Sequence, residues 1–237
     1  MIVLADNRPV IALVPARGGS KGIRRKNLVK VGGLPLVCHT VMAALRTPAV
    51  DEVWLSSDDE EILQAGRDAG AKVLIRPPEL ASDSASAVGV VEHFLASLSA
   101  SVKALDPVLL YLQPTSPLRT ERHIAEALAL MQCEGANAVM SVVELQHSPF
   151  KTFKLDPHGR LLSLFDESLS NARRQDLPVT YLPNGAIYAF RASEFVSRGV
   201  FPSNGSVPYM MSEDDSVDID TPADLQRVEQ LMGVIHA

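Results

Sequence analysis

Short apolar runs alternating with amphipathic segments constrain this chain more than any other feature. "VIALVP" (Val10–Pro15) is continuously apolar, as a strand buried on both faces requires. "VDEVWLSSD", "AKVLIRP", "PVLLYLQP" and "NAVMSVVEL" read as further strands. Helical patterns lie between them. Val37, Val41, Ala44 and Leu45 share one face, Val88, Val91, Leu95 and Leu98 another, and Ile124, Ala127, Leu128 and Met131 a third. Pro35 suits a first helical position, Ser57 followed by Glu60 predicts a capping-box start, Gly70 a stop, and Thr120 a cap. This rhythm predicts an α/β fold: a Rossmann-like, open, mostly parallel sheet flanked by helices with right-handed crossovers.

Near Ser148 the pattern changes. "FKTFKLDPHGRLLSLF" reads as a hairpin around Asp156–Gly159, and "TYLPNGAIYAFR" as a further strand. "SVDIDTPADLQRVEQLM" then restores the α/β rhythm, with Thr221 as N-cap, Pro222 in the first turn and Asp224 completing a capping box. The expected organisation is one α/β core, residues 1–148 and 207–237, interrupted by a small β-rich insertion, 149–206.

Composition narrows the possible partners. With 237 residues, 46% hydrophobic and 21% charged, the chain can bury a sizeable core. A net charge of -6 argues against general binding to nucleic acid. No apolar run approaches the roughly 18–20 residues that span a bilayer, and Asp6 and Arg8 interrupt the first apolar residues before a secretory leader develops. Cys38 and Cys133 lie far apart with no metal-like spacing, so reduced thiols are expected. The expectation is a soluble cytoplasmic protein with no membrane and no nucleic-acid partner.

Ligands of open α/β sheets bind beyond the carboxyl ends of the strands. The polar segments predicted there are the loop in "LVPARGGSKGIRRKNL", Ser56–Asp59, "QPTSPLRT" and Asp218–Asp220. The first loop fits neither the Walker A spacing nor G-x-G-x-x-G. Gly18, Gly19 and Ser20 still offer backbone N–H groups to phosphate oxygens, and Arg17, Lys21 and Lys26 would add charge-assisted bonds. A solvated basic turn is the alternative. On a strand, Asp218 and Asp220 would share one face. Two such carboxylates suit Mg²⁺ (or Mn²⁺) completed by substrate phosphates; the alternative is a polar strand end. Glu213, Asp214 and Asp215 read as a solvated acidic loop. His123, His158 and His236 have no catalytic setting.

Taken together, "VPARGGSKGIRRKNL", "QPTSPLRT", "RQDLPVTYLPNGAIYAF" and "SVDIDTPADL" resemble, in this order, the CMP-sialic acid synthetase (N-acylneuraminate cytidylyltransferase) family. The resemblance runs from about Val10 to Leu231. CMP-KDO synthetases share the fold but lack this first-loop arrangement. The resemblance implies a nucleotidyltransferase-type fold and transfer of CMP from CTP to the anomeric hydroxyl of an acidic nine-carbon α-keto sugar, with release of pyrophosphate. It gives Arg17, Ser20, Lys21, Lys26 and Asn27 to the triphosphate and nucleoside, with Arg17 and Lys26 stabilising charge on the leaving pyrophosphate. Arg24 and Arg25 become rim charges that steer CTP. Ser84 and Ser86 fall near the cytosine and ribose, or else cap a helix.

The same resemblance gives Gln113, Thr115 and Ser116 to the sugar, and Arg174 to its carboxylate. Asn184 and Tyr188 would bond sugar hydroxyls, although Tyr188 also fits an ordinary strand aromatic. Asp218 and Asp220 would hold Mg²⁺, with Asp218 the candidate acceptor of the hydroxyl proton. The insertion is expected to form a homodimer and to bring Lys151 and Phe201 to the partner's site. Relatives often carry two aromatics there, whereas Phe201 precedes Pro202. Rival substrates are pseudaminic acid, legionaminic acid and KDO; a catalytically inactive nucleotide-binding protein is the reading from another class.

Overall fold

The predicted apolar runs become strands of one sheet because alternate residues of each find apolar cover on both faces. In a computed structural model of the chain, which describes residues 8–20 and 22–233, the strands are β1 (Val10–Pro15), β2 (Lys30–Val31), β3 (Leu34–Pro35), β4 (Glu52–Ser57), β5 (Lys72–Ile75), β6 (Val108–Tyr111), β7 (Ala138–Glu144), β8 (Phe153–Leu155), β9 (Leu161–Ser163), β10 (Tyr181–Arg191) and β11 (Val207–Met210). The helices are α1 (Leu36–Leu45), α2 (Glu60–Asp68), α3 (Ala87–Ser97), α4 (Ala100–Ala104), α5 (Glu121–Cys133), α6 (Glu167–Asn171), α7 (Ala192–Arg198) and α8 (Pro222–Leu231). Seven strands form the main sheet in the order β11-β7-β10-β6-β1-β4-β5. All its pairings are parallel except those of β10, which runs antiparallel to both β6 and β7.

Burial explains the layers. Val10, Ala12 and Val14 of β1 join a cluster with Val37, Val41 and Ala44 of α1, whereas Ile11 and Leu13 join Phe94 of α3 and Phe195 of α7 on the opposite face. A third cluster packs Val31, Leu36, Val217, Ile219 and Val228 together, so the segment before α8 is anchored beneath the loop that follows β1. Among the described residues no helix is long and apolar enough to cross a membrane.

Three local expectations change. The capping box expected at Ser57 does not form; the helix is capped at Asp59, whose Oδ1 accepts from Glu61 N (3.0 Å) and Ile62 N (3.1 Å). Ser57 is still the last residue of β4 and accepts from Asp59 N at 3.1 Å, so the chain needs two more residues to turn. Asp218 and Asp220 are not on a strand, yet the alternation holds: Val217 and Ile219 are buried and the two carboxylates are exposed. The expected insertion, 149–206, is also divided. Residues 149–180 give the main sheet no strand, and their β8–β9 hairpin stands as a separate two-stranded sheet. From Tyr181 onward the chain belongs to the main sheet, and within β10 it enters the core, where Ala186, Ile187, Ala189 and Phe190 are all at most 1% exposed.

Candidate active site

The loop after β1 is held over the strand ends by the residues that begin α2. Ala16 N donates to Ser56 O (2.9 Å) and Gly18 N to Asp58 Oδ1 (2.9 Å). Arg25 takes a left-handed backbone conformation (φ 53°) and forks onto Asp59, while its other nitrogen reaches Glu61 at 2.8 Å. Arg25 is therefore a clamp within the protein and not the rim charge expected of it. Its guanidinium pKa is raised, chiefly by the hydrogen bond to Glu61. The buried Asn27 donates to Arg17 O at 2.9 Å and fixes the loop from inside.

Lys26 crosses to the other side of the site. Its Nζ donates to Ile219 O (2.7 Å) and Asp220 Oδ1 (2.8 Å), joining the basic loop to the acidic segment. Gly22 makes that join possible: a Cβ there would lie 2.2 Å from the Asp220 carbonyl oxygen. Asp218 keeps access to solvent, yet the protein packed around its carboxyl desolvates it enough to raise its pKa, with Asp220 and Asp224 adding to the rise; a hydrogen bond from Thr115 and the charge of Lys26 oppose it.

These elements enclose a cavity of ≈ 450 Å³, within the range of small-ligand sites. Arg17, Ser20, Lys26, Asn27, Ser86, Gln113, Thr115 and Asp220 all line it. Ser86 also caps α3, accepting from Gly89 N at 3.0 Å, so the capping alternative is realised beside its place in the wall. Arg17 bridges the opening toward Ser82 O (3.0 Å) and Asp83 (3.1 Å). Lys21 lies outside the described residues, as does His236.

Other predicted residues are placed elsewhere. Ser84 lies beside Ser82 (3.2 Å) and is not in the cavity wall. Ser116 is fully buried and its hydroxyl donates to Asn184 O at 3.5 Å. Asn184 is also buried. Tyr188 is half-buried, and the proximity of Asp218 reinforces the rise that burial imposes on its phenol pKa. Phe201 does not project outward: it stacks edge-on against Tyr111 (4.9 Å between centroids) and Tyr188 (5.4 Å) in its own subunit. Lys151 and Arg174 lie on the 149–180 segment, exposed and away from the cavity.

Several site residues gave no clear signal in the sequence. Arg76, 5% exposed, lines the cavity and donates to Ser56 O (2.7 Å) and Ser56 Oγ (3.2 Å), with burial lowering its pKa. Its place just past a strand end was the available hint. Tyr111, the last residue of β6, also lines it, its phenol pushed up to about 12 by burial. Arg119 is wholly buried and donates to Gln113 O (3.1 Å) and Ala186 O (2.9 Å), clamping the "QPTSPLRT" turn to β10. Burial alone brings its pKa down to about 9. Gly185 (φ +75°) completes this turn, since a Cβ there would meet Gln113 Oε1 at 2.5 Å.

An open parallel sheet with a cationic glycine loop after its first strand, and a polar cavity at the strand ends, defines a nucleotide-handling α/β protein. The family model described as cytidylyltransferase matches residues 11–201, and the chain belongs to the cytidylyltransferase family. The N-acylneuraminate cytidylyltransferase of Escherichia coli O18:K1:H7 is 35% identical over 219 residues, 92% of this chain and 50% of that protein. The CMP-N,N'-diacetyllegionaminic acid synthase of Legionella pneumophila is 32% identical over 227 residues, 94% of this chain and 96% of that protein. The chain spans about half the length of the first curated relatives it matches.

The fold is similar to that of a CMP:2-keto-3-deoxy-manno-octonic acid synthetase complexed with CTP (TM-score 0.69, 21% identity, 95% of this chain and 99% of that one). It is similar also to a 4-diphosphocytidyl-2C-methyl-D-erythritol synthase from Anaerococcus prevotii (TM-score 0.67, 13% identity, 97% and 98%).

Proposed function

We propose that this protein transfers CMP from CTP to the anomeric hydroxyl of an N-acylneuraminic (sialic) acid, releasing pyrophosphate. The observation that carries the reading is the single cavity in which Arg17 and Lys26, on the loop after β1, face the Asp220 side of an Asp-x-Asp segment. Arg17 and Lys26 stabilise charge on the departing pyrophosphate, an electrostatic role for preorganised cations. The backbone of Gly19 and Ser20, with Lys21, holds the triphosphate, the Gly18 N–H being held by Asp58. Arg76 and Ser86 give polar partners for the nucleoside beside the apolar Leu80, Ala87 and Val90. Gln113, Thr115 and Tyr188 face the sugar, and Asp218, with its raised pKa, accepts the hydroxyl proton as the oxygen attacks the α-phosphorus in line.

The acidic pair fits a divalent cation. Both carboxylates stand on the exposed side of buried Ile219. Among the described residues no group of three or more His, Cys, Asp or Glu side chains is placed to hold a metal by itself, so an ion at Asp218 and Asp220 must draw further ligands from phosphate and water. Mg²⁺ binds in that manner. Mg²⁺ (or Mn²⁺), when bound, supplies Lewis-acid polarisation of the phosphate.

A second copy of the chain completes the sugar site in this proposal. The 149–182 region exposes Phe153, Leu155, Leu161, Leu162, Leu164, Phe165 and Leu182, with Leu161 at 71%, and such a contiguous apolar surface marks an interface. A homodimer formed there brings Lys151 and Arg174 of one subunit toward the sugar carboxylate of the other. A cytoplasmic location agrees with the two unpaired cysteines. Legionaminic acid is the second reading, favoured by the Legionella relative, which this chain covers almost end to end.

The test is a panel: purified protein, CTP and Mg²⁺ with sialic, legionaminic, pseudaminic and KDO acids, read by CMP-sugar and pyrophosphate. The expected result is CMP-sialic acid. Product from another acid only would move the substrate, and no product from any would remove the activity.

A further inference from the structure

Asn184 lies where β10 loses register with β7, between Pro183 and Tyr188, and it is 7% exposed. Its carboxamide is occupied at both ends. Oδ1 accepts from Ser141 Oγ on β7 (2.5 Å) and from Ala186 N (3.2 Å). Nδ2 donates to Ser216 Oγ (2.9 Å) and meets Met211 sulfur at 3.3 Å. The orientation is fixed by chemistry, since a flipped amide would set N–H donors against the Ala186 N–H. An amide offers two donors and two acceptor lone pairs, and all are used within the protein.

The tie leads to the acidic segment. Ser216 Oγ, which accepts from Asn184 Nδ2, in turn donates to Ser212 O at 2.6 Å. Two residues later comes Asp218, and Ile219 N is fixed to Thr115 O at 2.9 Å. We propose that Asn184 is a positioning residue: through Ser216 it sets where Asp218 and Asp220 stand, and it does not bind the sugar. The inference rests on the proposed CMP transfer, and it replaces the direct sugar contact expected of this asparagine.

The substitutions follow from the donor pattern. Asn184→Asp keeps the shape but presents an acceptor to Ser216, whose single proton cannot serve both that oxygen and Ser212 O. Ser216→Ala removes the same tie from the other end. With the full chain, CTP and the sugar acid, both variants should lower kcat by about tenfold or more, as loss of an outer-shell partner does, with the sugar KM within about threefold of wild type. Free Mn²⁺ measured by electron paramagnetic resonance in the presence of CTP should show about tenfold weaker binding in each. The double variant should be no worse than the worse single one, because the two residues act as one unit.

A large rise in sugar KM for Asn184→Asp at unchanged kcat, with Ser216→Ala silent, would assign the amide to the sugar and overturn the proposal. Wild-type kcat and Mn²⁺ affinity in Ser216→Ala would overturn it as well. If Asn184→Asp fails to fold, Ser216→Ala decides alone. If wild type makes no CMP-sugar, the functional reading falls, while the Mn²⁺ comparison still decides the tie.

Discussion

Replacing Gly22 by alanine tests the closest approach between the basic loop and the acidic segment. The added methyl carbon falls 2.2 Å from the Asp220 carbonyl oxygen, whereas even a tight carbon–oxygen contact is about 3.3 Å. One backbone must therefore retreat by about 1 Å. Neither is free to do so. Lys26 holds the loop to Ile219 O and Asp220 at 2.7 and 2.8 Å, and Ile219 N is held by Thr115 O. The site is exposed, so the fold absorbs the strain at about 1 kcal/mol. A shift of about 1 Å at reacting groups costs about 100-fold in rate, which is about 2.7 kcal/mol of barrier. Pyrophosphate release with CTP, sugar and Mg²⁺ measures kcat, and thermal unfolding measures the fold. Gly22→Ala within threefold of wild type would refute the reasoning.

Lys26→Ala should lower kcat by about 100- to 1,000-fold while the folded state persists; turnover near wild type removes Lys26 from the pyrophosphate clamp. Arg119→Leu removes the guanidinium that Gln113 O and Ala186 O share at 3.1 and 2.9 Å and should cost about 2–4 kcal/mol in urea unfolding; a loss below 1 kcal/mol contradicts the clamp. Asp224 has a depressed pKa because the Thr221 side chain and backbone bond its carboxylate, so its stabilisation is full above the ordinary Asp value and fades as pH falls through the depressed one. Asp224→Asn should be less stable by about 1 kcal/mol at pH 7, with the gap closing below the ordinary value of 3.8; a gap that stays constant to pH 2 counts against the capping box. If the proposed homodimer forms through the 149–182 surface, Leu162→Asp should lower the sedimenting mass to that of a monomer and reduce turnover; unchanged mass and rate would count against that interface.

The sheet was largely legible in the sequence because strands covered on both faces must be continuously apolar, as β1 and β6 are and as β7 is apart from Ser141 and its last residue, Glu144. Which strands pair is not written in such runs. β10 reads as part of an insertion, since its first residues, Tyr181 to Pro183, are exposed and resemble the hairpin before them. The basic loop and the Asp-x-Asp pair could be read because charge concentrated beside glycine or alternated about an apolar residue has few uses. Arg76 and Arg119 could not, since a buried arginine differs from a solvated one only in the carbonyls that tertiary contact brings to it. Asn184 sits in a motif that carries the family resemblance, and Phe201 where that resemblance implies a cross-subunit contact, yet their side chains turn inward, and only the packing around β10 shows that.

β10 enters the sheet between β6 and β7 although both precede it in the chain. During synthesis, the half built from β1, β4, β5 and β6 can assemble through short crossovers. β7 must wait, and until Tyr181–Arg191 emerges both β6 and β7 present open hydrogen-bonding edges, which favour association with other chains. Closing this gap late raises the sequence separation of the decisive contacts and slows folding. Ribosome-bound chains halted near residue 180 should therefore recruit chaperones more than chains halted after 210. The strand that carries Asn184 and Tyr188 toward the acidic segment thus fills the gap between β6 and β7, and the surface at that end of the sheet forms only once its two halves are joined.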